Sequence, residues 1–222
     1  AEKYNVKIIN DHVKKVDFTQ SPLQLMGERD SYETKSLIIA TGASAKYLGL
    51  ESEKRFLGKG VSACATCDGF FYKDQEVAVI GGGNTAVEEA LYLSNICSKV
   101  HLVHRRDEFR AEKILQDRMF NKVKEGKISL VLNSNLKEVL GDQVVDSIKI
   151  ENNDGEESII NLDGVFIAIG HKPNTDIFEG QLEMKDGYIV TKSGFDHGAT
   201  STSDSYTHVT LRRLLTCRSR WS

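Results

Sequence analysis

Apolar and polar positions in the middle of this chain follow two spacings in turn, and these predict strands and helices. Glu76–Ile80 is an almost continuously apolar run, as in a strand buried on both faces of a parallel sheet. Residues 86–94 repeat apolar positions at helical spacing, and Val100–Val103 is apolar again. The pattern therefore predicts a strand, a tight turn, an amphipathic helix and a second, parallel strand.

The same alternation of elements continues on both sides. A second amphipathic helix is predicted over Ala111–Glu125, and Val165–Ile169 is a further buried strand that stops at Gly170. Asn152–Gly155 is typical of a hairpin turn. Shorter strands between polar turns are predicted at residues 4–9, 13–18, 23–26, 31–40, 128–132, 136–140, 144–151 and 158–162.

The first group of strands is a predicted β-meander that ends in the apolar run Leu37–Gly42. Val165–Gly170 has a similar pattern, which would suit two related domains threaded through each other, although any buried strand that ends at a glycine looks alike. Residues 43–60 are polar and rich in glycine. They separate the run Leu37–Gly42 from the cysteine pair at residues 64 and 67.

Composition limits the classes of function. With 40% hydrophobic and 27% charged residues, the 222-residue chain has the make-up of a soluble globular protein. A net charge of −3 gives no reason to expect a nucleic-acid partner. No apolar stretch is long enough for a transmembrane helix or resembles a signal region, so no membrane partner and a cytoplasmic location are expected.

Gly81, Gly83 and Ala86 follow the first buried strand in the order G-x-G-x-x-A, with Asn84 and Thr85 between them. In a dinucleotide-binding turn the first glycine permits a tight turn, the second lets the backbone approach a pyrophosphate, and the small third residue allows close helix packing. The helix N-terminus then offers N–H groups to the phosphates. Because a strand precedes and a helix follows, the context also fits a dinucleotide site.

His104, Arg105 and Arg106 end the second strand about twenty residues after the glycines, and Arg110 follows. An acidic residue at this place would contact the ribose of NAD, whereas guanidinium groups bind a phosphate bidentately. We therefore expect NADP(H) as the cofactor. The alternative is a solvated basic strand end, which position and charge together disfavour.

Cys64 and Cys67 form a C-x-x-C pair, the one close pair among four cysteines. Three interpretations are open: a redox dithiol, part of a zinc site, or two buried structural thiols. Zinc would need two further ligands, and only His101 and His104 share a metal-like spacing. Asp68 follows directly, and a carboxyl there can exchange protons with the sulfurs. The redox interpretation is favoured, and no metal is expected.

Hydride chemistry beside a dithiol implies a second cofactor. A flavin normally links a two-electron hydride donor to the reduction of a disulfide. The sequence therefore implies FAD beside NADPH, although no second glycine fingerprint for FAD is found.

Four segments together carry a specific pattern. They are residues 63–71 (ACATCDGFF), 77–86 (VAVIGGGNTA), 104–112 (HRRDEFRAE) and 168–175 (AIGHKPNT). With them the chain resembles bacterial-type, low-molecular-weight thioredoxin reductase over about Tyr4 to Gly194. The resemblance implies an α/β fold in three layers, in which a Rossmann-like NADPH domain, a parallel sheet plus a β-meander, is inserted in an FAD domain of the same class.

The resemblance also implies the path of the electrons. They would pass from NADPH through FAD to the Cys64–Cys67 disulfide and then to thioredoxin. Cys67 would face the flavin, Cys64 would exchange with thioredoxin, and Asp68 would be the acid–base group. The family enzyme is a homodimer whose NADPH domain rotates so that the flavin meets nicotinamide and dithiol in turn.

Cofactor contacts follow from the same resemblance. Thr41 and Gly42 would lie near the flavin, and the arginines would hold the 2′-phosphate of NADPH. The residues expected at NADPH are Gly81, Gly83, Asn84, Thr85, Ala86, His104, Arg105, Arg106, Arg110, Ile169 and Gly170.

The resemblance divides the chain into four parts. Residues 1–46 would be a partial FAD domain, 47–173 the NADPH-binding and redox-dithiol domain, 174–202 the return to the FAD domain, and 203–222 a divergent basic tail. Because the family's N-terminal FAD fingerprint is missing and the likeness fails after about Thr202, we expect a partial chain with a complete NADPH domain.

Two other functions remain open. One is a different flavin-dependent disulfide reductase, such as the flavoprotein of an alkyl hydroperoxide system, which would carry its own N-terminal dithiol domain. The other is a non-catalytic module that binds NADPH without the yellow colour of a flavin.

Overall fold

The computed structural model describes residues 6–191, and the predicted tail at 203–222 lies outside them. The chain divides into two compact units: Ala45–His171, and the residues up to Ser44 together with those from Lys172 onward. Each unit contains hydrophobic core clusters of its own. The strands on which the chain passes between them, β4 (Ala43–Ala45) and β13 (His171–Pro173), form a two-stranded sheet.

A parallel sheet forms the centre of the unit Ala45–His171. Its strands are β5 (Val61–Ser62), β6 (Glu76–Ile80), β7 (Lys99–Val103), β8 (Ile128–Val131) and β12 (Gly164–Ile167). They lie in the order β5-β12-β6-β7-β8, and every neighbouring pair is parallel. The central strands are buried almost throughout, as the continuous apolar runs predicted.

Two layers cover the parallel sheet. One consists of the helices α3 (Asn84–Leu93) and α4 (Lys113–Lys124), and the other is the antiparallel sheet of β9 (Ser134–Gly141), β10 (Val145–Asn152) and β11 (Glu157–Asn161). Successive side chains of a strand point to opposite faces. Val77 and Val79 of β6 therefore pack with the helices, whereas Ala78 and Ile80 pack with the antiparallel sheet. The predicted three-layer α/β fold is confirmed.

Before β6 the chain forms two short helices, α1 (Glu51–Phe56) and α2 (Ala65–Asp68), and a 3₁₀ turn over Gly69–Tyr72. No element was predicted over residues 43–60, yet α1 lies there. Glu53 supplies the reason. It is only 1% exposed, and its carboxylate accepts the N–H groups of Leu48 at 3.1 Å and Leu50 at 2.9 Å, which closes the turn leading into the helix.

The other unit contains the predicted β-meander. Its antiparallel strands are β1 (Val13–Asp17), β2 (Leu23–Gly27) and β3 (Ser31–Thr34). A 3₁₀ turn over Asp176–Phe178 and the hairpin of β14 (Met184–Lys185) and β15 (Tyr188–Ile189) follow. Val16 of the meander shares a core cluster with Phe178 and Ile189.

Asp11 fastens the turns of this meander. Its carboxylate accepts the Tyr32 hydroxyl at 2.7 Å and the backbone N–H groups of His12, Glu28 and Asp30. These donors, Tyr32 first, hold the pKa of Asp11 at about 2. The same hydrogen bond raises the pKa of Tyr32 to about 12.

Two predicted strands are wrong. Residues 6–9 form no strand, and the strand expected over 31–40 ends at Thr34, so that Leu37–Gly42 is irregular. Among residues 6–191 no strand pairs with this segment. Ile39 is 3% exposed and Ile38 is 73% exposed, so the apolar pattern correctly indicated a buried side but not a hydrogen-bonded neighbour.

None of the helices within residues 6–191 is both long and apolar enough to cross a bilayer.

Candidate active site

The glycine-rich turn joins β6 to α3. Gly81 has a φ of +153°, and a Cβ at this position would collide with the carbonyl oxygen of Ala168 and lie 2.8 Å from Cβ of Ala86. No atom lies within 4 Å of the place that a Cβ of Gly83 would take, so the approach to the N-terminus of α3 is open. The turn is thus closely packed below and open above, as a pyrophosphate site requires.

The predicted NADPH residues come together at one edge of the parallel sheet. β6, β7 and β12 are neighbours and run in the same direction, so the segments that follow them share an edge. Gly81 follows β6, His104 follows β7, and Ile169 and Gly170 follow β12. In open parallel sheets, ligands bind at this carboxyl edge.

The loop 104–112 carries Arg105, Arg106 and Arg110, all exposed. The backbone N–H of Arg110 donates to the carbonyl of Gly82 at 2.8 Å, which ties the loop to the glycine turn. Within residues 6–191 none of the three guanidinium groups forms an ion pair. The turn and three available positive charges are therefore held side by side.

Asn84 provides a second tie between turn and loop. Its Oδ1 accepts the backbone N–H of Glu112 at 2.7 Å, and its Nδ2 donates to the Glu112 carboxylate at 3.2 Å. Both ends of the Asn84 amide are thereby engaged within the protein. Its assignment as a cofactor contact remains a prediction, and the structure adds a role for it in holding the loop.

His104 lies beneath the turn. It is only 5% exposed, its ring stacks on Phe109 with centroids 5.3 Å apart, and a Cβ on Gly82 would collide with the ring. Nε2 lies 3.1 Å from the carbonyl oxygen of Glu108. Burial, and then the nearby arginines, lower the pKa of His104. A neutral, packed imidazole supports the turn from below, and its cofactor contact remains a prediction.

Cys64 and Cys67 are joined as a disulfide, with Cα atoms 5.3 Å apart. Cys64 is half-buried at the start of α2, and Cys67 is exposed within it. The carbonyl of Cys64 accepts the N–H groups of Cys67 at 3.2 Å and Asp68 at 3.1 Å. The pair therefore occupies one short helical turn.

The sequence-based argument missed the importance of Ser62, at the end of β5. Its hydroxyl donates to Oδ2 of Asp68 at 2.6 Å and accepts the backbone N–H of Cys64 at 3.1 Å. Asp68 is half-buried. A serine two residues before the first cysteine was the available signal, because serine hydroxyls commonly accept the N–H two positions further on.

Glu89 was also missed. It lies on α3 between Ala86 and Ala90, both fully buried, and this helical spacing was the signal that its carboxyl points inward. Oε1 accepts the N–H of Ala65 from α2 at 3.5 Å, and Oε2 is buried without a partner among the described residues. Burial raises the pKa of Glu89 to about 7. A carboxyl group thus lies between α2, which carries the dithiol, and α3, which follows the glycine turn.

The two phenylalanines after Asp68 differ from expectation. Large apolar side chains such as Phe70, Phe71 and Tyr72 would be expected to pack inward beside the cysteine motif, but Phe70 is 73% and Phe71 76% exposed. Only Tyr72 packs inward, edge-on against Phe166 at 5.5 Å. The 3₁₀ turn explains the difference, because it directs its first side chains away from the sheet while Tyr72 reaches the core beside Gly164.

Thr41 and Gly42, expected near FAD, belong to the other unit. Their carbonyl oxygens accept the side chain and the backbone N–H of Asn174, at 3.1 and 2.9 Å. Cys97 is a free thiol inside the helical layer, and burial raises its pKa to about 11. A thiol of this kind is unreactive, so Cys97 takes no part in the site.

Comparison with known proteins identifies the family. The family of pyridine nucleotide-disulphide oxidoreductases matches residues 2–204 of the sequence. The chain belongs to this family. The family name refers to a pyridine nucleotide and a disulfide, and this chain has both a dinucleotide-type turn and a disulfide.

Individual members of the oxidoreductase family extend the comparison. A protein named glucosaminate ammonia-lyase from Pseudomonas fluorescens is 60% identical over 204 residues, which cover 91% of this chain and 64% of that protein. A thioredoxin reductase of Vibrio cholerae is 60% identical over 206 residues, with the same shares covered. The chain thus spans 64% of the length of these relatives.

A solved structure agrees with the sequence comparison. The thioredoxin reductase of Lactococcus lactis superimposes with a TM-score of 0.77 at 35% identity, covering 93% of this chain and 67% of that one. The resemblance to thioredoxin reductases inferred from the sequence is therefore confirmed.

Proposed function

We propose that this chain carries the NADPH site and the redox dithiol of a thioredoxin-disulfide reductase that also uses FAD. The observation that carries the proposal is the Cys64–Cys67 disulfide on a helix that contacts α3, the helix of the dinucleotide turn. A family whose members join nucleotide and disulfide chemistry supports it. Cytoplasmic location and a homodimeric assembly are part of the same proposal.

The residues present fit NADPH. Gly83 leaves the phosphate approach open, and the packed Gly81 lets strand and helix come close. Arg105, Arg106 and Arg110 are exposed in the loop that follows β7, where a 2′-phosphate would lie. NADPH, when bound, would supply a hydride at this edge of the sheet.

The case for FAD rests on the family rather than on a visible cradle. Thr41 and Gly42 use their carbonyl oxygens on Asn174, and residues 6–191 contain one glycine-rich turn of the dinucleotide type. The described residues by themselves therefore do not form an FAD site. The chemistry proposed for this chain's own residues is confined to the dithiol.

Disulfide exchange at the Cys64–Cys67 pair takes place in two successive attacks. One thiolate of the reduced pair attacks a sulfur of the partner disulfide, and the partner's other sulfur leaves and takes a proton. The second thiolate of the pair then attacks the mixed disulfide, releases the second partner thiol and restores the Cys64–Cys67 bond. Asp68, adjacent to Cys67, is the proposed proton relay: in each of the two attacks it takes the proton of the attacking thiol and gives it to the departing sulfur, so the two protons come from the reduced pair itself.

A protein substrate suits the surface beside the pair. Phe70 and Phe71 are exposed directly after the dithiol, and aromatic side chains are enriched where proteins dock. A small disulfide would need no such apolar contact. We therefore take thioredoxin, a protein disulfide, as the partner.

The ammonia-lyase name of one relative points to a different reaction. Removing ammonia from an amino sugar acid involves no net electron transfer, so neither the dithiol nor the arginine loop would have a use. The reductase proposal accounts for both the dithiol and the arginines of the loop 104–112. Alkyl hydroperoxide reduction and simple NADPH binding remain outcomes of the test.

The test measures the two parts that the described residues hold, the NADPH site and the dithiol. NADPH binding is measured by titration calorimetry, and reduction of oxidised thioredoxin by the chemically reduced chain is followed by labelling the free thiols of thioredoxin. We expect NADPH to bind, and we expect full reduction of thioredoxin that Cys64→Ser or Cys67→Ser abolishes and Cys97→Ser leaves intact. Exchange with a peroxide-reducing partner but not with thioredoxin would support the alkyl hydroperoxide alternative. NADPH binding without any exchange would overturn the proposal, as would ammonia release from glucosaminate.

A further inference from the structure

A closed ring of hydrogen bonds passes through the dithiol turn. Ser62 donates to the Asp68 carboxylate at 2.6 Å and accepts the N–H of Cys64 at 3.1 Å. The carbonyl of Cys64 in turn accepts the N–H of Asp68 at 3.1 Å. Each of the three residues is thereby bonded to the other two.

Ser62 is the fixed member of this ring. It is only 8% exposed and lies in β5, the edge strand of the parallel sheet, where it is paired with Phe166 of β12. Cys64 and Asp68, by contrast, lie at the ends of a four-residue helical turn. Pairing of β5 in the sheet therefore fixes the position of Ser62, and the two hydrogen bonds of Ser62 fix the turn that carries the dithiol.

We propose that Ser62 is a positioning residue for disulfide exchange, because its hydroxyl keeps the Asp68 carboxyl in place to give a proton to the departing sulfur. The inference rests on the proposed function for the role of Asp68. Hydrogen bonds to a carboxylate are short and strong. The bond occupies Oδ2, so the proton is carried on Oδ1.

The ring also matters when the disulfide is open. Reduction adds two electrons and two protons and breaks the Sγ–Sγ bond, so Cys64 and Cys67 are then joined only by the backbone. Ser62 still holds the N–H of Cys64 and the carboxyl of Asp68. The pair consequently keeps its geometry for the second attack, which re-forms the disulfide.

The choice of disulfide makes a direct test possible. An alkyl disulfide such as oxidised glutathione releases a basic thiolate, which benefits from a proton donor, whereas an aromatic disulfide releases a stable thiolate that needs none. A positioning role for Ser62 therefore slows exchange with the first and not with the second. A purely structural role would slow both.

The experiment uses the full chain with its fourth cysteine replaced, Cys217→Ser, so that Cys64 and Cys67 are the thiols followed beside the buried Cys97. The protein is reduced chemically, freed of reductant and mixed with each disulfide. Closure of the pair is followed by acid quenching and mass spectrometry across the pH range in which carboxyls and thiols titrate. We expect Ser62→Ala to slow exchange with oxidised glutathione roughly 10-fold and to alter its pH profile, with the aromatic rate unchanged. Asp68→Asn should have the same selectivity, and adding Ser62→Ala to it should cause no further loss.

Matched variants complete the test. Ser62→Thr keeps the hydroxyl and should restore the glutathione rate, whereas Ser62→Val, of the same shape, should not; this pair decides the matter if Ser62→Ala does not fold. Ser147→Ala removes another buried serine that donates to an aspartate, Asp146 at 2.7 Å, and should leave both rates unchanged.

Three results would overturn the proposal: a normal glutathione rate in Ser62→Ala, an equal loss with both disulfides, or additive effects of Ser62→Ala and Asp68→Asn. Because the assay contains neither NADPH nor flavin, its result on Ser62 can be interpreted even if the reductase proposal fails.

Discussion

Three exposed arginine side chains belong to the loop beside the glycine turn, and none of them forms an ion pair with a carboxylate of residues 6–191. Burial and these charges lower the pKa of His104, which is consistent with the guanidinium groups lying close together. A cluster of this kind is favourable only when an anion binds to it. This arrangement supports the proposal that the arginines bind the 2′-phosphate, which NADPH has and NADH lacks.

Replacing Arg105 and Arg106 with alanine tests this selectivity. Each charged hydrogen bond lost should weaken NADPH binding by roughly 10-fold or more, while NADH, without the 2′-phosphate, should bind about as before. Dissociation constants from titration calorimetry give the comparison. Arg118→Ala, an exposed arginine on α4, is the control. Equal weakening of both nucleotides would contradict a phosphate contact.

At the scale of elements, the contact between α2 and α3 carries a titrating group. The carboxyl of Glu89 is buried between them, and its pKa is raised to about 7 from 4.5. Between pH 4.5 and about pH 7, Glu89 is therefore protonated in the native state and ionised in the unfolded chain. Stability contributed by protonated Glu89 is present below pH 4.5 and is lost as the pH rises through 7.

Glu89→Gln should remove this dependence. Relative to the variant, the native chain should lose on the order of 3 kcal/mol of unfolding free energy between the acidic and alkaline ends of that window. Urea unfolding followed by circular dichroism at several pH values provides the measurement. Glu88→Gln, the exposed neighbour on the same helix, should keep the native slope. If both variants have the same slope, Glu89 is not the titrating group.

The β-meander has a pH dependence of opposite sign. The pKa of Asp11 is held at about 2, below 3.8, so its contribution is present above pH 3.8 and is lost as the pH falls through 2. Asp11→Asn should make the backbone N–H groups around Asp30 exchange faster at neutral pH, and it should lower the pKa of Tyr32 from about 12 towards its usual 10. Nuclear magnetic resonance can follow both.

Asp30→Asn is the matched control for the meander. It removes a nearby charge but leaves the Asp11–Tyr32 hydrogen bond intact. The pKa of Tyr32 should then fall far less than in Asp11→Asn. A comparable fall in the two variants would mean that charge, rather than the hydrogen bond, sets the pKa of this phenol.

How far the sequence predicted these elements depends on where their partners lie. The strand–turn–helix around Gly81 was predictable because each part is local and its glycines have a steric reason. Leu37–Gly42 was misjudged because a strand needs a neighbour that periodicity does not reveal. Glu53 and Ser62 were missed for a different reason: their partners are close in sequence, but the spacing of apolar positions does not show which polar side chains bond to nearby groups.

At the scale of the molecule, the unit Ala45–His171 has what an independent domain needs. Its parallel sheet is covered on both faces, and the two clusters of its core are formed by residues of this unit. We expect residues 45–171 to fold alone and to bind NADPH as the whole chain does. Cooperative thermal unfolding and nucleotide titration check this, with Arg105→Ala/Arg106→Ala in the same fragment as control. A fragment without cooperative unfolding would refute it.

The pairing of β4 with β13 has a consequence for engineering. Because neighbouring strands lie about 5 Å apart, the two ends of the unit Ala45–His171 emerge side by side. A segment with adjoining ends can be inserted into a surface loop of an unrelated scaffold, or closed on itself and reopened elsewhere, with only a short joint. The dithiol and the glycine turn could then be transferred together, as one unit, to another protein.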